Sequence, residues 1–517
     1  MITFEWIVGV LLGAVALAAA SRRFGAPYPS LLALGGVVLA FVPGSPAWTL
    51  EPDLALALFI APVLLDAAFD TSTRDLKDNW LPVAGLVLIA VGLTTIAVAV
   101  VAHTMVPGLP WAAAVALGAA VAPPDAAAAT AILRQVRLPQ RIVTILEGES
   151  LLNDASALLI YRLAVGAVAA GNFSPAAVAP TFVLVVAGSL VFGWALARAV
   201  LWLLTRIADP SSAIVVQFGT TFGVWILAER LGLSGILTIV AYAITIARDA
   251  PRLTPAMIRV PSYAVWDTAV FVLNVLAFVM IGLQVRPIWE QLDASVRTEY
   301  VLVAAAVLLT VIVVRFAWVM TNNAAMRWDI ARHGFHPPRP MLRPSLHSGL
   351  AISWCGMRGI VTLAAAFGLP AGFPYRDLIL FTAFAVVVGT LTIQGLSLKA
   401  LLRRLRLEDG DPVTAEISKA RECGYHAALQ ILEGDGSPEA ELLRREYCAV
   451  LTRAEDDRNG FIPGERPADP LRRLAIAAAR KAINDLRDSG AIGDNAFHRV
   501  EQELDWYELS TTASNDG

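Results

Sequence analysis

The chain has 517 residues, of which 57% are hydrophobic and 16% charged, whereas soluble globular proteins run about 45–50% apolar and about 25% charged. Its mean hydropathy of +0.63 is more than one or two soluble cores account for, and three scattered cysteines exclude a disulfide scaffold and a CxxC metal site. The net charge of −3 divides into a basic body up to residue 406 and an acidic tail beyond it, the composition of an integral membrane protein with one polar appendage.

A helix that crosses the hydrocarbon core needs about 20 mostly apolar residues. Such runs predict thirteen spans, over 3–20, 28–44, 52–69, 80–103, 111–133, 142–169, 178–204, 212–230, 233–247, 262–284, 299–321, 346–371 and 377–401. Only Leu231-Gly232 separates the eighth from the short ninth. The first run has Glu5 before it and Arg22-Arg23 after it, the reverse of a signal peptide, so it reads as a retained span. Connections after odd-numbered spans hold fifteen Lys and Arg, while the alternate ones hold Arg230, Arg286, Arg297 and Arg376. The positive-inside rule then puts the N-terminus outside and the tail in the cytoplasm.

Charges at bilayer depth are costly and mark pairs or ion pathways. The spans contain Asp66, Asp125, Glu147, Glu149, Asp154, Arg162, Glu229, Asp267, Arg315 and Arg358. Glu229 and Arg198 lie near span ends, where snorkelling suffices. Arg315 has no partner visible in the sequence and receives the same structural reading. In span 6, Ser150 and Asp154 lie four residues apart and share a helix face, with Asn153 beside the carboxylate. Hydroxyl, amide and carboxylate oxygens suit a small hard cation, and the carboxylate can take a proton instead. Helix packing through Ser and Asn does not require an aspartate at that depth.

Span 5 contains Pro123-Pro124-Asp125. Two prolines remove two N–H donors, which predicts a break and a new half-helix with Asp125 at its positive end. Span 12 contains Gly356-Met357-Arg358-Gly359, a second predicted break, with Arg358 near the negative end of a half-helix. Glu149 is the best acid for Arg358 at that depth. Interrupted helices in opposite directions suggest a transporter built from inverted repeats, spans 1–6 and 8–13.

The segments GESLLNDA (148–155), VAPPDAAAAT (121–130) and WCGMRGIVTLAAA (354–366), with Ser234-Gly235-Ile236-Leu237 and the region from Asn274 to Leu283, resemble the bacterial sodium/proton antiporters of the monovalent cation:proton antiporter family, in the sodium/proton exchanger branch. The resemblance covers roughly residues 1–405. It implies an all-α membrane fold of thirteen helices, two discontinuous crossing helices, a dimerisation domain, a mobile core and elevator-like alternating access. It further implies Asp154 as ion- and proton-binding aspartate, Asn153 and Ser150 beside it, and a buried Glu149–Arg358 salt bridge. Many members carry Thr-Asp-Pro where this chain has Pro123-Pro124-Asp125. Ion coordination there then falls to backbone carbonyls or to Asp125.

One carboxylate beside a neutral amide holds one proton or one monovalent cation, which predicts electroneutral exchange of Na+ (or Li+ or K+) for H+. No cofactor, nucleic acid or enzymatic chemistry is expected; the expected partners are the two ions, membrane lipid and a second copy of the chain. Rival readings are a potassium/proton exchanger, a channel and a non-transporting membrane receptor. Residues 1–405 form the predicted membrane domain and 406–517 a cytosolic helical tail. The tail opens on the basic Arg403-Arg404-Leu405-Arg406, expected against anionic lipid. Helices are predicted over Ala415–Leu432, Pro438–Arg453 and Pro470–Leu486, with surface histidines at His426 and His498 and an unstructured end, Ser510–Gly517.

Overall fold

The computed structural model describes residues 2–24, 27–44, 52–125, 138–170, 175–334, 343–407, 412–458, 469–489, 500 and 503–506. Among them every regular element is helical. The chain divides into two compact units, Met1–Gly410 and Asp411–Gly517.

The first unit begins with α1 (Ile2–Phe24) and α2 (Tyr28–Ala40). Helix α3 covers 52–70, α4 is the short Thr73–Asp78, and α5 runs over Trp80–Met105. Next come α6 (Trp111–Val121), α7 (Gln140–Ala170), α8 (Pro175–Leu204), α9 (Pro210–Arg230) and α10 (Gly235–Leu253). Then follow α11 (Ala256–Leu283), α12 (Val285–Gln291), α13 (Arg297–His333), α14 (Leu346–Trp354), α15 (Ile360–Phe367) and α16 (Arg376–Leu405). In hydrocarbon every backbone N–H and C=O needs a partner within the protein, and a helix supplies it locally. Seven helices are long and apolar enough to cross a membrane, with shorter apolar helices at Glu5–Ser21, Tyr28–Ala40, Leu56–Phe69 and Trp111–Val121. The chain is a multi-pass membrane protein.

Small residues bring these helices into backbone contact, the usual device where lipid offers no hydrophobic drive. A Cβ on Gly36 of α2 would fall on the Val279 carbonyl of α11, and one on Gly282 would fall on the Ala33 carbonyl. Gly118 and Gly193 meet the carbonyls of Thr95 and Thr238 in the same way. The tight α9–α10 connection works because Gly232 takes a φ of +71° and Ser234 caps α10 through the Leu237 N–H.

Three π turns were not foreseen from the sequence: Leu56–Ile60 in α3, Gly85–Ala90 in α5 and Leu391–Gly395 in α16. Two of them hold carbonyls that take hydroxyl donors from other helices. Ser156 of α7 donates to Val87 at 2.8 Å, and Ser30 of α2 donates to Leu391 at 2.6 Å.

The second unit contains α17 (Pro412–Leu432), α18 (Pro438–Arg458) and α19 (Asp469–Asp488). Helices α17 and α18 pack as a hairpin turned at Gly434, whose φ is +91°, with Tyr425 against Tyr447 at 5.4 Å. Arg444 closes the turn by donating to the carbonyls of Leu432 and Asp435. His426 is exposed; His498 and the end Ser510–Gly517 lie outside the described residues.

Candidate functional site

Both predicted breaks are present. Helix α6 stops at Val121, and Pro123, Pro124 and Asp125 leave the helical path; the half-helix expected to follow lies outside the described residues. In the second rod α14 stops at Trp354, Gly356 to Gly359 are non-helical, and α15 starts at Ile360.

The unwound segments are bonded to each other. The Asp125 N–H donates to the Met357 carbonyl at 2.7 Å. In the other direction Arg358, 1% exposed, donates from Nε to the Val121 carbonyl and from Nη2 to the Ala122 carbonyl, both at 3.0 Å. Its Nη1 donates to the Gly356 carbonyl. The carbonyls at a helix C-terminus lack intrahelical partners and carry the negative end of the dipole, so one guanidinium satisfies α6 and the chain leaving α14 together. The Arg358 N–H in turn donates to the Thr390 hydroxyl of α16 at 3.0 Å. Gly359 is the N-cap of α15, and a Cβ there would fall on the Asp125 carboxylate. The acid thus sits against the positive end of α15.

Helix α7 brings its polar cluster to this crossing. Asn153 is fully buried and Asp154 is 7% exposed. The Asn153 Nδ2 donates to the Pro124 carbonyl at 3.0 Å, which fixes its Oδ1 as an acceptor; that oxygen has no hydrogen-bond partner among the described residues. The Asp125 carboxylate is close enough to Asp154 for the two charges to interact. Ser150 is half-buried on the same helix, and Tyr161, two turns beyond Asp154, donates to the Ala365 carbonyl of α15 at 2.5 Å.

The structure corrects the expected Glu149–Arg358 pair. Glu149 instead accepts two bonds from Arg315 of α13, from Nη1 at 2.5 Å and Nη2 at 2.9 Å, with both side chains at most 3% exposed. Arg315 also donates to the carbonyls of Ser353 at 3.2 Å and Ile352 at 3.1 Å, in the last turn of α14. Arg358 is committed to carbonyls of both rods, at Val121, Ala122 and Gly356. A Cβ on Gly356 would collide with the Arg315 side chain, so this glycine makes room for the ion pair. Arg315 is therefore an interior anchor rather than the unpartnered, snorkelling residue expected. Its position mid-span was the signal that a partner exists; nothing local said which.

The other interior charges are placed as follows. Arg162 pairs with Glu229 at 2.9 Å, and Glu229 also accepts from the Gly235 N–H. Arg198 does not merely snorkel but reaches Asp249 at 2.8 Å. Asp66 and Glu147 are half-buried, and Asp267 is exposed on α11.

Residues 8–404 match the protein family described as sodium/hydrogen exchanger, transmembrane. A protein of Bacillus pumilus named sodium, potassium, lithium and rubidium/H+ antiporter is 31% identical, over 98% of this chain and 77% of its own length. The low-affinity Na+/H+ antiporter NhaS1 of Synechocystis is 26% identical, over 83% of this chain and 80% of its own. Among solved structures, the sodium proton antiporter MjNhaP1 of Methanocaldococcus jannaschii superposes with a TM-score of 0.61 at 17% identity, covering 79% of this chain and all of that one. At that identity the last likeness concerns the fold.

Proposed function

Since the chain belongs to the sodium/hydrogen exchanger family of transmembrane proteins, we propose that it exchanges one Na+, or another small alkali cation, for one H+ across the cell membrane, with Asp154 as the group both ions contest. The observation that carries this reading is the burial of Asp154 beside an asparagine docked on an unwound chain. A proton satisfies that carboxylate from within. An alkali ion satisfies it with help from oxygens that need no proton, for which the Asn153 Oδ1, the hydroxyl of Ser150 and Asp125 are the candidates. Both ligands carry one positive charge, so loading with either leaves the same net charge.

A single titratable carboxylate beside a neutral amide supports a single-ion load. In this reading exchange is electroneutral and proceeds by alternating access, with the broken rods moving as part of a core. The topology is that of thirteen spans in two inverted repeats, N-terminus outside and tail inside, assembled as a homodimer.

The test is pH-dye fluorescence in proteoliposomes given a sodium gradient. Asp154→Asn is expected to abolish exchange while the protein stays folded; robust proton movement by that variant refutes the assignment. A rate that changes strongly when valinomycin shifts the potential rules out one-for-one exchange. A broader ion range is the second reading, favoured by the Bacillus pumilus relative whose name includes potassium, lithium and rubidium. Replacing Na+ in turn by Li+, K+ and Rb+ in the same vesicles separates the two.

A further inference from the structure

Two residues past Asp154, α7 carries Ser156, a half-buried serine with no place in the sequence motif that marks the site. Its Oγ has two carbonyl acceptors at 2.8 Å, Val87 of α5 and Asn153 of its own helix. A serine bonded only to a carbonyl of its own preceding turn is an ordinary helix feature. Here the same hydroxyl also reaches a second helix, inside the π turn Gly85–Ala90, and π turns gather at functional sites. Just beyond, Ala157 of α7, Val91 of α5 and Ala122 at the end of α6 pack together, each at most 3% exposed. The Ala122 carbonyl is one of those held by Arg358, so the π turn, the ion helix and the crossing meet in one place.

We propose, on the basis of exchange at Asp154, that Ser156 is a positioning residue for the cation: its bond to the π turn of α5 sets the height and rotation of α7 and so aims Asn153 and Asp154 at the crossing. Asn153 and Ser156 lie three residues apart and share one stripe of the helix. One end of that stripe is tied to the chain leaving α6, through the Asn153 Nδ2 and the Pro124 carbonyl at 3.0 Å. The other end is tied to α5 through Val87. A single attachment lets a helix pivot about it, whereas two fix its rotation and its height together. Asp154 follows Asn153 directly, so its direction is set by the same two points. The contested ions feel this unequally. A proton needs one carboxylate oxygen, while an alkali ion needs several oxygens held in place at once. Loosening α7 therefore weakens the cation and leaves the proton nearly untouched.

The experiment measures initial exchange rate against sodium concentration in proteoliposomes, per amount of folded full-length protein, at neutral and at alkaline pH. Ser156→Ala is expected to raise KM by about 3- to 10-fold, the worth of one hydrogen bond, with the maximal rate nearly kept. The factor should be the same at both pH values, because protons still compete for an unaltered carboxylate. Ser156→Thr keeps the hydroxyl and should restore the KM. Ser30→Ala removes the other hydroxyl bond to a π turn, at Leu391 of α16, and should leave the KM unchanged. A lower maximal rate at unchanged KM makes Ser156 a packing residue and overturns the proposal. An equal rise in Ser30→Ala, or a threonine variant that behaves like the alanine one, overturns it too. Should Ser156→Ala not fold, Ser156→Cys, similar in size and a weak donor, takes its place: a raised KM upholds the proposal and an unchanged one overturns it. An inactive wild type removes the exchange reading and this proposal with it, whereas an active wild type whose KM ignores Ser156→Ala removes this proposal alone.

Discussion

Separating the two candidate partners of Glu149 puts the core's wiring to a quantitative test. Arg315 gives Glu149 two short bonds in a site where both side chains are at most 3% exposed. Removing one member of such a pair leaves the other buried without a counter-charge, which typically costs about 3–5 kcal/mol. At roughly 2 °C per kcal/mol for a large domain, this becomes a drop on the order of 6–10 °C in the unfolding midpoint. Glu149→Gln and Arg315→Met should each show it, and the double variant should fall by clearly less than their sum. Arg358 bonds to the carbonyls of Val121, Ala122 and Gly356, so Arg358→Met destabilises through those groups, and a cycle between it and Glu149 should couple by less than ~1 kcal/mol. The assay is the midpoint of detergent-solubilised protein followed by size-exclusion fluorescence, across both cycles. Coupling of Glu149 to Arg358 as large as that to Arg315 would refute the wiring described here.

Gly359→Ala sets a methyl on the Asp125 carboxylate; it should destabilise by about 1–3 kcal/mol and slow exchange in proteoliposomes, whereas Gly424→Ala in the tail, with open space around it, should do neither. Asn153→Ala leaves the Pro124 carbonyl without its donor, a loss of about 1–3 kcal/mol for a buried group, and is expected to raise the cation concentration for half-maximal exchange; an unchanged midpoint and KM would argue against its docking role. In the tail, the N–H and hydroxyl of Ser437 hold Asp435 below its ordinary value of 3.8, with Arg444 adding to the effect. A depressed folded value means stabilisation fully present above the ordinary value and lost as pH falls from there through the folded one. Protection factors for amide exchange in the α17–α18 turn, taken against the intrinsic rate at each pH, should therefore fall on acidification below about pH 4, and Asp435→Asn should blunt that response.

What the sequence made legible was whatever a single helix or turn encodes. The Pro123-Pro124 pair cannot continue a helix because it lacks donors, and Gly356 and Gly359 bracket a cation that an unbroken apolar helix would not hold; both breaks followed. The neighbourhood of Ser150, Asn153 and Asp154 is likewise a property of one helix. Arg315 was illegible for the opposite reason, since it meets Glu149 across 166 residues, and either buried arginine satisfies the same electrostatic rule. The π turns also escaped notice. One precedes Pro62, which lacks the N–H that would have returned to the helix, yet Gly85–Ala90 and Leu391–Gly395 contain no comparable local mark, and their shape is tied to the hydroxyls of Ser156 and Ser30 on neighbouring helices.

The cross-bracing between the interrupted rods has a mechanical corollary. Bonds run from Asp125 to Met357 and back from Arg358 to Val121 and Ala122, so neither rod can shear past the other, nor rewind alone, without stripping partners from groups that water does not reach. A gate that opened by unzipping one rod would have to break this lattice on every turnover. In the proposed exchange cycle, exposure of the carboxylate to alternate compartments is cheaper if the knot travels intact, as cargo and chassis in one piece, with the sliding surfaces located at its outer boundary.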